Sequence, residues 1–406
     1  MSKTKKIIPE LRFPEFKNEG EWEEDMVYNL VFTITPPKKI TSSNYQKYGK
    51  FPIIDQSKNY YCGWTNDNEA VITEDLPLII FGDHTCVIKI AKKPFAQGAD
   101  GIKILKTKDK IFPEYLFHYL CHNEVVMEDY KRHYSILKDK VIVFPNINSG
   151  EQQRIASCLS SLDEVIEAHS KKLELLKDHK KGLLQNLFPQ EGETVPKVRF
   201  PEFEEDGEWE LKPFSKFIKL YRGSSPRPIR EYLTKEETGV NWIKIGDTSS
   251  ITDFVIRSVS EKITPKGAEK SRRVKKGELI LANSMSYGST YLLEVEGCIY
   301  DGWFVLREYE EHFDKQFLLQ LLNSEYTQGQ YKRFAAGGIV QNISSEIVYS
   351  ITLSKTSKEE QQKIASCLSA VDELITAQQD KIEQLQQHKK GLMQGLFPSA
   401  DEVAYE

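Results

Sequence analysis

The sequence lacks a run of about 18 apolar residues, the length that a membrane-spanning helix needs. Its first residues, MSKTKKIIPE, contain no apolar core of a signal peptide. We therefore expect a cytoplasmic protein without a membrane segment. Hydrophobic residues make up 39% of the chain and charged residues 28%, which is typical of globular domains. The length of 406 residues suggests two to four such domains.

Sequence signatures of catalysis are also missing. There is no glycine-rich phosphate loop ending in GK[ST], no GxSxG elbow, no HExxH zinc site and no amino-methyltransferase motif. The eight histidines do not cluster, and none of the six cysteines forms a CxxC or Cys/His metal spacing. Nothing in the sequence thus argues for an enzyme, although missing motifs do not exclude one. We expect no zinc site and no disulfide, and no cofactor on this chain.

The net charge of −5 argues against a uniformly basic nucleic-acid binder. The charge is uneven, however. Residues 26–150 carry about +3 and residues 212–359 about +4, so the remainder carries about −12. Local basic surfaces on these two regions are compatible with DNA binding. Ordinary variation among segments explains such a distribution equally well.

Two segments of the chain are duplicated. Residues 151–189 and 360–398 are identical at roughly two thirds of their aligned positions. A shorter duplication precedes each copy: residues 11–24 read LRFPEFKNEGEWEE, and residues 198–211 read VRFPEFEEDGEWEL. Self-similarity at this spacing predicts two modules with parallel functions. The regions between the duplicated segments do not visibly resemble each other.

The longer duplicated segment is predicted to be a helix in both copies, because its apolar residues advance in the steps of three and four that form a coiled-coil seam. The seam residues are Ile155, Leu159, Leu162, Ile166, Leu173 and Leu176 in the first copy, and Ile364, Leu368, Val371, Ile375, Ile382 and Leu385 in the second. Each helix would be about 55 Å long. An antiparallel pair within the chain satisfies both seams. Two separate helices, each packed on its own domain, are the alternative.

Polar residues interrupt both seams at equivalent places. Antiparallel alignment predicts that Lys180 lies near Val371 and that Lys389 lies near Leu162. Each polar seam residue would then meet an apolar partner. Single polar groups of this kind can fix the register of a helix pair.

Short β-rich runs predict strands in both variable regions. They cover 51–54, 70–73, 77–81 and 87–90 in the first region, and 242–245, 278–281, 291–295 and 303–306 in the second. Apolar-faced segments predict a helix in each region, over 113–120 and 313–322.

Polar and basic loops in the variable regions are candidates for contact with nucleic acid. Arginine forks suit guanine edges and phosphates, and basic residues beside aromatic ones suit a phosphate-and-base surface. The candidates are Asp83, His84, Thr85, Lys131 and Arg132 in the first region, and Arg222, Ser224, Ser225, Arg227, Asn283, Ser284, Ser286, Tyr287, Lys332 and Arg333 in the second. For any one of them, a solvated surface role is the plainer interpretation.

The paired EQQ-IASCLS helices ending in HKKGL and LFP, with the paired RFPEF and GEWE motifs, resemble the specificity subunit of type I restriction-modification enzymes. The resemblance covers essentially the whole chain. It implies an α+β fold: two mixed α/β target recognition domains bridged by two long antiparallel coiled-coil helices, with pseudo-two-fold symmetry. The implied divisions are a first recognition domain at 1–150, a first spacer helix at 151–190, a second recognition domain at 191–359, a second spacer helix at 360–398 and a tail at 399–406.

The resemblance also implies a non-catalytic function. Each recognition domain would read one half of a bipartite double-stranded DNA site, and the helices would set the distance between the halves. The implied partners are two modification subunits, which methylate adenine with S-adenosylmethionine, and restriction subunits, which use ATP and magnesium to translocate and cleave DNA. The residues leave two alternatives open: a stand-alone bipartite DNA-binding regulator, and a coiled-coil adaptor between two proteins.

Overall fold

The structure, a computed structural model, describes residues 8–73, 75–99, 101–127, 132–249, 251, 253–284, 288–335 and 343–398. Two compact units divide the chain. Unit 1 comprises Met1–Ser170 and Asp380–Glu406, and unit 2 comprises Lys171–Gln379. Unit 1 is therefore built from two separate stretches of sequence, whereas unit 2 is continuous.

The first part of the chain forms ten strands and four helices among the described residues. The strands are β1 (Glu23–Met26), β2 (Val31–Ile34), β3 (Phe51–Ile54), β4 (Gly63–Thr65), β5 (Val71–Ile72), β6 (Leu78–Gly82), β7 (Ile88–Ala91), β8 (Phe95–Gln97), β9 (Ile102–Thr107) and β10 (Val141–Phe144). The helices are α1 (Val27–Leu30), α2 (Pro113–His122), α3 (Tyr134–Asp139) and the long α4 (Glu151–Leu187).

The second part repeats this style. Its described strands are β11 (Glu210–Pro213), β12 (Lys219–Arg222), β13 (Leu233–Thr234), β14 (Val240–Ile243), β15 (Val255–Ile256), β16 (Glu261–Ile263), β17 (Arg272–Val274), β18 (Leu279–Ala282), β19 (Thr290–Leu293), β20 (Gly297–Ile299), β21 (Trp303–Arg307) and β22 (Thr352–Lys355). Its helices are α5 (Pro265–Glu269), α6 (Lys315–Asn323), α7 (Glu325–Ala335), α8 (Ser345–Ser350) and the long α9 (Lys358–Leu396). Helices α4 and α9 each contribute residues to both units.

The sheets of the two units share a strand order. The first sheet runs β2-β9-β6-β7 in unit 1 and β12-β21-β18-β19-β15 in unit 2. The second sheet runs β4-β3-β8-β5 in unit 1 and β13-β16-β14-β20-β17 in unit 2. In the second sheets β3 pairs in parallel with β8, as β14 does with β20. The variable regions thus share a framework that their sequences hide, because a strand needs only suitable side chains at its buried positions.

The central strand of the first sheet of unit 1 is buried on both faces. Strand β6 is buried along its whole length. Its alternate side chains point in opposite directions, so Leu78 and Ile80 join the apolar cluster of Phe95 in the second sheet. Ile79 and Phe81 instead join the cluster that contains α2. The loops that follow the strands of this central layer are consequently held by a rigid core.

The strands and helices predicted within the variable regions are present, with their ends shifted by no more than two residues. The largest difference is at 242–245, where the strand ends at Ile243. Lys244 and Ile245 instead begin a short 3-10 helix, because the Asp247 carboxylate accepts a hydrogen bond from the Lys244 backbone nitrogen at 2.8 Å. A side chain that caps the turn therefore stops the strand.

The predicted α+β fold with two long antiparallel helices is confirmed. In unit 1, Asp163 of α4 binds Lys389 of α9, and in unit 2, Lys180 of α4 binds Asp372 of α9. None of the predicted seam residues is exposed. Ile155, Leu159, Ile364, Leu368 and Val371 are buried, and Leu162, Ile166, Leu173, Leu176, Ile375, Ile382 and Leu385 are half-buried.

The two seam lysines do not meet the apolar partners that were predicted. The Lys389 ammonium lies 2.6 and 2.7 Å from the two carboxylate oxygens of Asp163. The Lys180 ammonium lies 2.7 Å from Asp372 Oδ1. Each carboxylate belongs to the residue that follows the predicted apolar partner. A long lysine stem can cover the seam while its charged end reaches such a neighbour.

The Leu-Phe-Pro end of each long helix is anchored by aromatic packing. In unit 1, the Phe397 ring centroid at the end of α9 lies 5.6 Å from that of Tyr115 and 5.3 Å from that of Tyr119. In unit 2, the Phe188 centroid at the end of α4 lies 5.3 Å from that of Phe317 and 6.3 Å from that of Trp209. Each unit therefore holds the beginning of one long helix and the end of the other.

A buried ion pair joins the RFPEF motif to the start of a long helix. Arg12 Nε donates to Glu151 Oε1, and Arg12 Nη2 to Glu151 Oε2, both at 2.7 Å. The remaining Arg12 nitrogen donates to the backbone oxygens of Glu19 and Gly20. Only 7% of the Arg12 side chain and 1% of the Glu151 side chain are exposed. The hydrogen bond and charge of Glu151 outweigh the burial and raise the pKa of Arg12.

Unit 2 repeats this arrangement. Arg199 donates to both carboxylate oxygens of Glu360 at 2.8 Å, with the same exposures of 7% and 1%. The glutamine that follows each glutamate is equally fixed. Gln152 Oε1 accepts from the Phe112 nitrogen, and Gln361 Oε1 accepts from the Asp314 nitrogen, both at 2.7 Å. The duplicated Glu-Gln pair therefore attaches the start of each long helix to its unit.

The RFPEF motif also contacts the end of the other long helix in its unit. In unit 1, the Leu11 nitrogen donates to the Gly395 oxygen of α9 at 2.8 Å. In unit 2, the Val198 nitrogen donates to the Asn186 oxygen of α4 at 3.0 Å. The second contact joins residues close in sequence, whereas the first joins residues from opposite parts of the chain.

Loss of one member of a buried ion pair leaves the other charge uncompensated. We expect Arg12→Met to lower the free energy of unfolding by about 3–5 kcal/mol, and Arg12→Met with Glu151→Leu to recover most of that loss. Urea unfolding measures both changes. Lys17→Met, which removes an exposed charge from the same segment, is the control and should change little. A loss below about 1 kcal/mol for Arg12→Met would show that the ion pair does not hold α4 on unit 1.

The seam lysines give a second stability test. Asp163→Asn and Asp372→Asn should each destabilise the helix pair by about 1 kcal/mol, because the ion pairs are partly exposed and partly screened. Glu174→Gln is the control, since the Glu174–Lys177 pair is exposed and lies within one helix. Thermal melting should separate the aspartate variants from the control. Equal melting temperatures for all variants would show that the seam ion pairs contribute nothing.

Candidate DNA interface

Asp301, in the turn between β20 and β21, organises a polar cluster at the surface of unit 2. Ser225 Oγ donates to Asp301 Oδ1, and the Arg227 guanidinium lies 3.5 Å from Asp301 Oδ2. Burial alone would raise the pKa of Asp301, but the Ser225 hydroxyl and the charges of Arg227 and Arg222 outweigh it, and the pKa is lowered. The carboxylate is therefore ionised at neutral pH.

The backbone oxygen of Asp301 is shared as well. It accepts from Arg222 Nε at 3.3 Å and from Asn283 Nδ2 at 2.9 Å. Four of the predicted residues, Arg222, Ser225, Arg227 and Asn283, thus converge on one residue that the sequence analysis missed. The Asp301-Gly302 pair was the available signal, since such pairs are common in turns.

The loop that carries Ser225 and Arg227 depends on Gly223. A Cβ atom at this position would overlap the carbonyl group of Tyr300. The Gly223 nitrogen donates to the Trp303 oxygen at 2.8 Å, and the Ser224 nitrogen donates to the Ile299 oxygen at 3.1 Å. Glycine therefore lets the loop lie directly across the β20–β21 turn.

Asn283 and Asp83 occupy the same place in the two units, just after the central strands β18 and β6. The two residues are 2% and 4% exposed. Asn283 bonds through its backbone to Gly302, and Asp83 to Gly101. Asp83 Oδ1 also accepts from the Tyr134 nitrogen at 2.8 Å. These two predicted residues hold loops in place, and neither presents its side chain to solvent.

The other predicted residues of unit 2 are more dispersed. Ser224 is exposed and donates to the Lys270 oxygen at 3.3 Å. Ser284 is half-buried, with its Oγ 3.5 Å from the Tyr300 hydroxyl. On α7, Lys332 is exposed and Arg333 forms an ion pair with Glu191. Ser286 and Tyr287 lie outside the described residues.

In unit 1, the predicted residues that the structure describes form no comparable cluster. Thr85 is exposed and donates to the Gln56 oxygen at 2.7 Å, and the His84 nitrogen donates to Gln56 Oε1 at 3.3 Å. Arg132 is exposed, and Lys131 lies outside the described residues. The Thr85 turn is thus fastened to Gln56.

A basic and aromatic surface in unit 1 was missed by the sequence analysis. Tyr48 is 76% exposed, and the Lys47 ammonium lies 5.4 Å from its ring centroid. The Lys50 ammonium lies 5.0 Å from the ring centroid of Phe51. The sequence KYGKF has the same basic and aromatic composition that marked the other candidates, so this signal was available.

A shallow polar cavity of about 470 Å³ lies in the same part of unit 1. Its lining includes Lys38, Asn44, Gln46 and Asn66. Asn66 Nδ2 donates to Gln46 Oε1 at 3.1 Å. Amide and ammonium groups of this kind form hydrogen bonds with base edges and phosphates.

Two classes of site find no support within the described residues. No group of three or more His, Cys, Asp or Glu side chains there could hold a metal ion. No helix in the described ranges combines the length and apolar character needed to cross a membrane.

Comparison with known proteins adds independent information. A family model described as "Type I restriction modification DNA specificity domain" matches residues 21–178 and 207–387, well over half of the chain. The "Type I restriction enzyme MjaVIII specificity subunit" of Methanocaldococcus jannaschii is 25% identical over 409 residues, covering 94% of this chain and 92% of that protein.

Two solved structures share the fold. The type I restriction-modification system S subunit from M. genitalium has a TM-score of 0.65 at 15% identity, covering 97% of this chain and all of that one. A chain from a structure concerning complex assembly and conformational transition of the type I R-M system has a TM-score of 0.54 at 14% identity. The match covers 93% of this chain and 98% of that one. With the family match over both units, the chain belongs to the type I restriction modification DNA specificity domain family.

Proposed function

We propose that the chain is the non-catalytic specificity subunit of a cytoplasmic type I restriction-modification complex. It recognises a bipartite double-stranded DNA site and serves as the scaffold for the methyltransferase and endonuclease subunits. One observation carries this function. The two units share a strand framework and the Arg–Glu ion pairs that attach the long helices to it, while the surface loops on that framework differ. Unit 2 presents the Asp301 cluster, and unit 1 presents the Lys47, Tyr48 and Lys50 surface. Two similar frameworks with unlike loops suit two different half-sites.

The long helices support the scaffold function through a second heptad stripe, which we call the outer seam. It consists of Cys158, Ser161, Val165, Ala168, Lys172, Leu175, His179 and Gly182 on α4, and Cys367, Ala370, Leu374, Ala377, Lys381, Gln384, His388 and Gly391 on α9. These positions advance by three and four residues, as the inner seam does. Five of the eight hold the same residue in both helices.

Most of the outer seam is exposed in this chain, and Cys158, Gly182 and Cys367 are half-buried. Val165, Leu175 and Leu374 are 43%, 68% and 55% exposed, and they are the exposed large hydrophobic residues of the described parts of α4 and α9. A Cβ atom at Gly182 or Gly391 would meet nothing within 4 Å. A glycine inside a helix costs about 0.5–1 kcal/mol relative to alanine. Two glycines at equivalent places, each with free space around it, therefore suggest that another molecule approaches the helices closely there.

A heptad stripe is suited to a partner helix, and two copies of it are suited to two copies of one partner. We assign these partners as two modification subunits, with restriction subunits joining the assembly. S-adenosylmethionine, ATP and magnesium are assigned to those subunits and none to this chain. A stand-alone regulator would leave the outer seam uncovered, so this feature favours the scaffold function.

The proposed function predicts independent recognition by the two units. Replacement of residues 26–150 with the corresponding region of a related subunit should change one half-site and leave the other unchanged, because each framework holds its own loops. Methylated adenines in a host that carries the chain and its modification subunit would reveal both half-sites. A simultaneous change in both half-sites would contradict separate recognition. Absence of any bipartite methylated site for the natural chain would contradict the function itself.

The outer seam predicts the effect of charge on assembly. Val165→Glu with Leu374→Glu should weaken co-purification of the modification subunit by at least about tenfold, because buried carboxylates without partners are costly. The control is Gln153→Glu with Gln362→Glu, which adds the same charges at exposed equivalent positions off the stripe. Thermal melting checks that both variants stay folded. Equal co-purification of the two would show that the outer seam is not the docking surface.

A further inference from the structure

The Arg227 side chain combines high exposure with a fixed anchor. It is 81% exposed, yet its guanidinium lies 3.5 Å from Asp301 Oδ2. That one ion pair leaves most of the five N–H donors of the guanidinium directed to solvent. An exposed arginine normally samples many rotamers, and ordering it costs conformational entropy. The anchor reduces that cost for any ligand that the remaining donors bind.

The anchor is itself immobilised. Ser225 occupies Asp301 Oδ1, so the carboxylate is held from its other side. The backbone oxygen of Asp301 is bound by Arg222 and Asn283, and Asn283 is buried against the central strand β18. The core of unit 2 thus holds in place the Asp301 carboxylate beside which the Arg227 guanidinium lies. Such support is what a specific contact requires.

Other basic residues lie near Arg227. A cavity of about 960 Å³ adjoins the loop, and its lining includes Arg230, Lys244 and Tyr300 as well as Arg227. Lys244 forms a 2.7 Å ion pair with Glu261, and Arg230 is exposed. Lysine and arginine side chains of this kind bind phosphates. The fork of an arginine binds either a phosphate or a planar pair of acceptors in a bidentate way.

Guanine presents such a pair, O6 and N7, in the major groove, and a bidentate arginine is its commonest specific contact. Resting on the proposed function, we propose that Arg227 reads a guanine in the half-site recognised by unit 2, with Asp301 as its positioning residue. The negative charge of Asp301 also disfavours a phosphate at the same place, because like charges repel. Ser225 acts through Asp301 by holding the carboxylate.

The test uses the complex of this chain with its modification subunit and oligonucleotides that carry each base at every position of the half-site. Arg227→Ala should reduce discrimination for guanine at one position by on the order of 10- to 100-fold, with preferences at the other positions and in the unit 1 half-site retained. Arg227→Lys keeps the charge and loses the fork, so it should show the same relaxation. Asp301→Asn should relax the same position to a smaller extent.

Several results would overturn the inference. Uniform weakening on all oligonucleotides by Arg227→Ala, with full recovery in Arg227→Lys, would mean that Arg227 binds a phosphate. A unit 2 half-site without guanine, or unchanged discrimination in both variants, would refute it as well. Arg257→Ala is the matched control, because Arg257 is a 54%-exposed arginine of the same unit that is paired with Asp253. It should leave guanine discrimination unchanged.

The same experiment distinguishes failure of this inference from failure of the proposed function on which it rests. If the natural complex methylates a bipartite site while Arg227 variants keep every base preference, only the inference fails. If the natural complex shows no bipartite site, the proposed function fails first. Thermal melting of each variant confirms that altered discrimination does not arise from unfolding.

Discussion

The buried arginine–glutamate pair is the interaction on which the rest of the architecture depends. A desolvated charge is tolerated only when its partner is close and correctly oriented, so Arg12 and Glu151 fix each other within a narrow geometry. Because Glu151 is the first residue of α4, the pair also fixes where the long helix leaves its unit. Arg199 and Glu360 impose the same requirement in unit 2.

The duplicated and periodic parts of the fold were predictable from the sequence. Heptad spacing marks α4 and α9 because the seam repeats over many turns, and no single residue decides the pattern. The strands of the variable regions were found because apolar runs there are bounded by turn residues. The partner of Lys389 was not predicted. Heptad spacing shows which residues lie near each other, but it does not show that the lysine ammonium binds Asp163 and not the adjacent apolar residue.

The candidate interface was less accessible to sequence analysis. Arg227 and Ser225 were found from composition, but Asp301 lies 74 residues beyond Arg227, and only folding brings them together. Asp83 and Asn283 were selected for polarity, yet both are buried and hold loops. Polarity alone does not distinguish a side chain that contacts a ligand from one that satisfies the backbone. That distinction depends on the exposed fraction, which is a property of the tertiary structure.

The discontinuity of unit 1 has a consequence for biosynthesis. Unit 2 is one uninterrupted stretch, and all of its aromatic anchors are translated before residue 379. Unit 1 is translated first but lacks Phe397, which packs against Tyr115 and Tyr119. Its core therefore stays open on the ribosome until Phe397 emerges, and the unit whose synthesis starts first is completed after unit 2. A prematurely terminated chain would retain an exposed aromatic cleft, which is a surface that chaperones and proteases recognise.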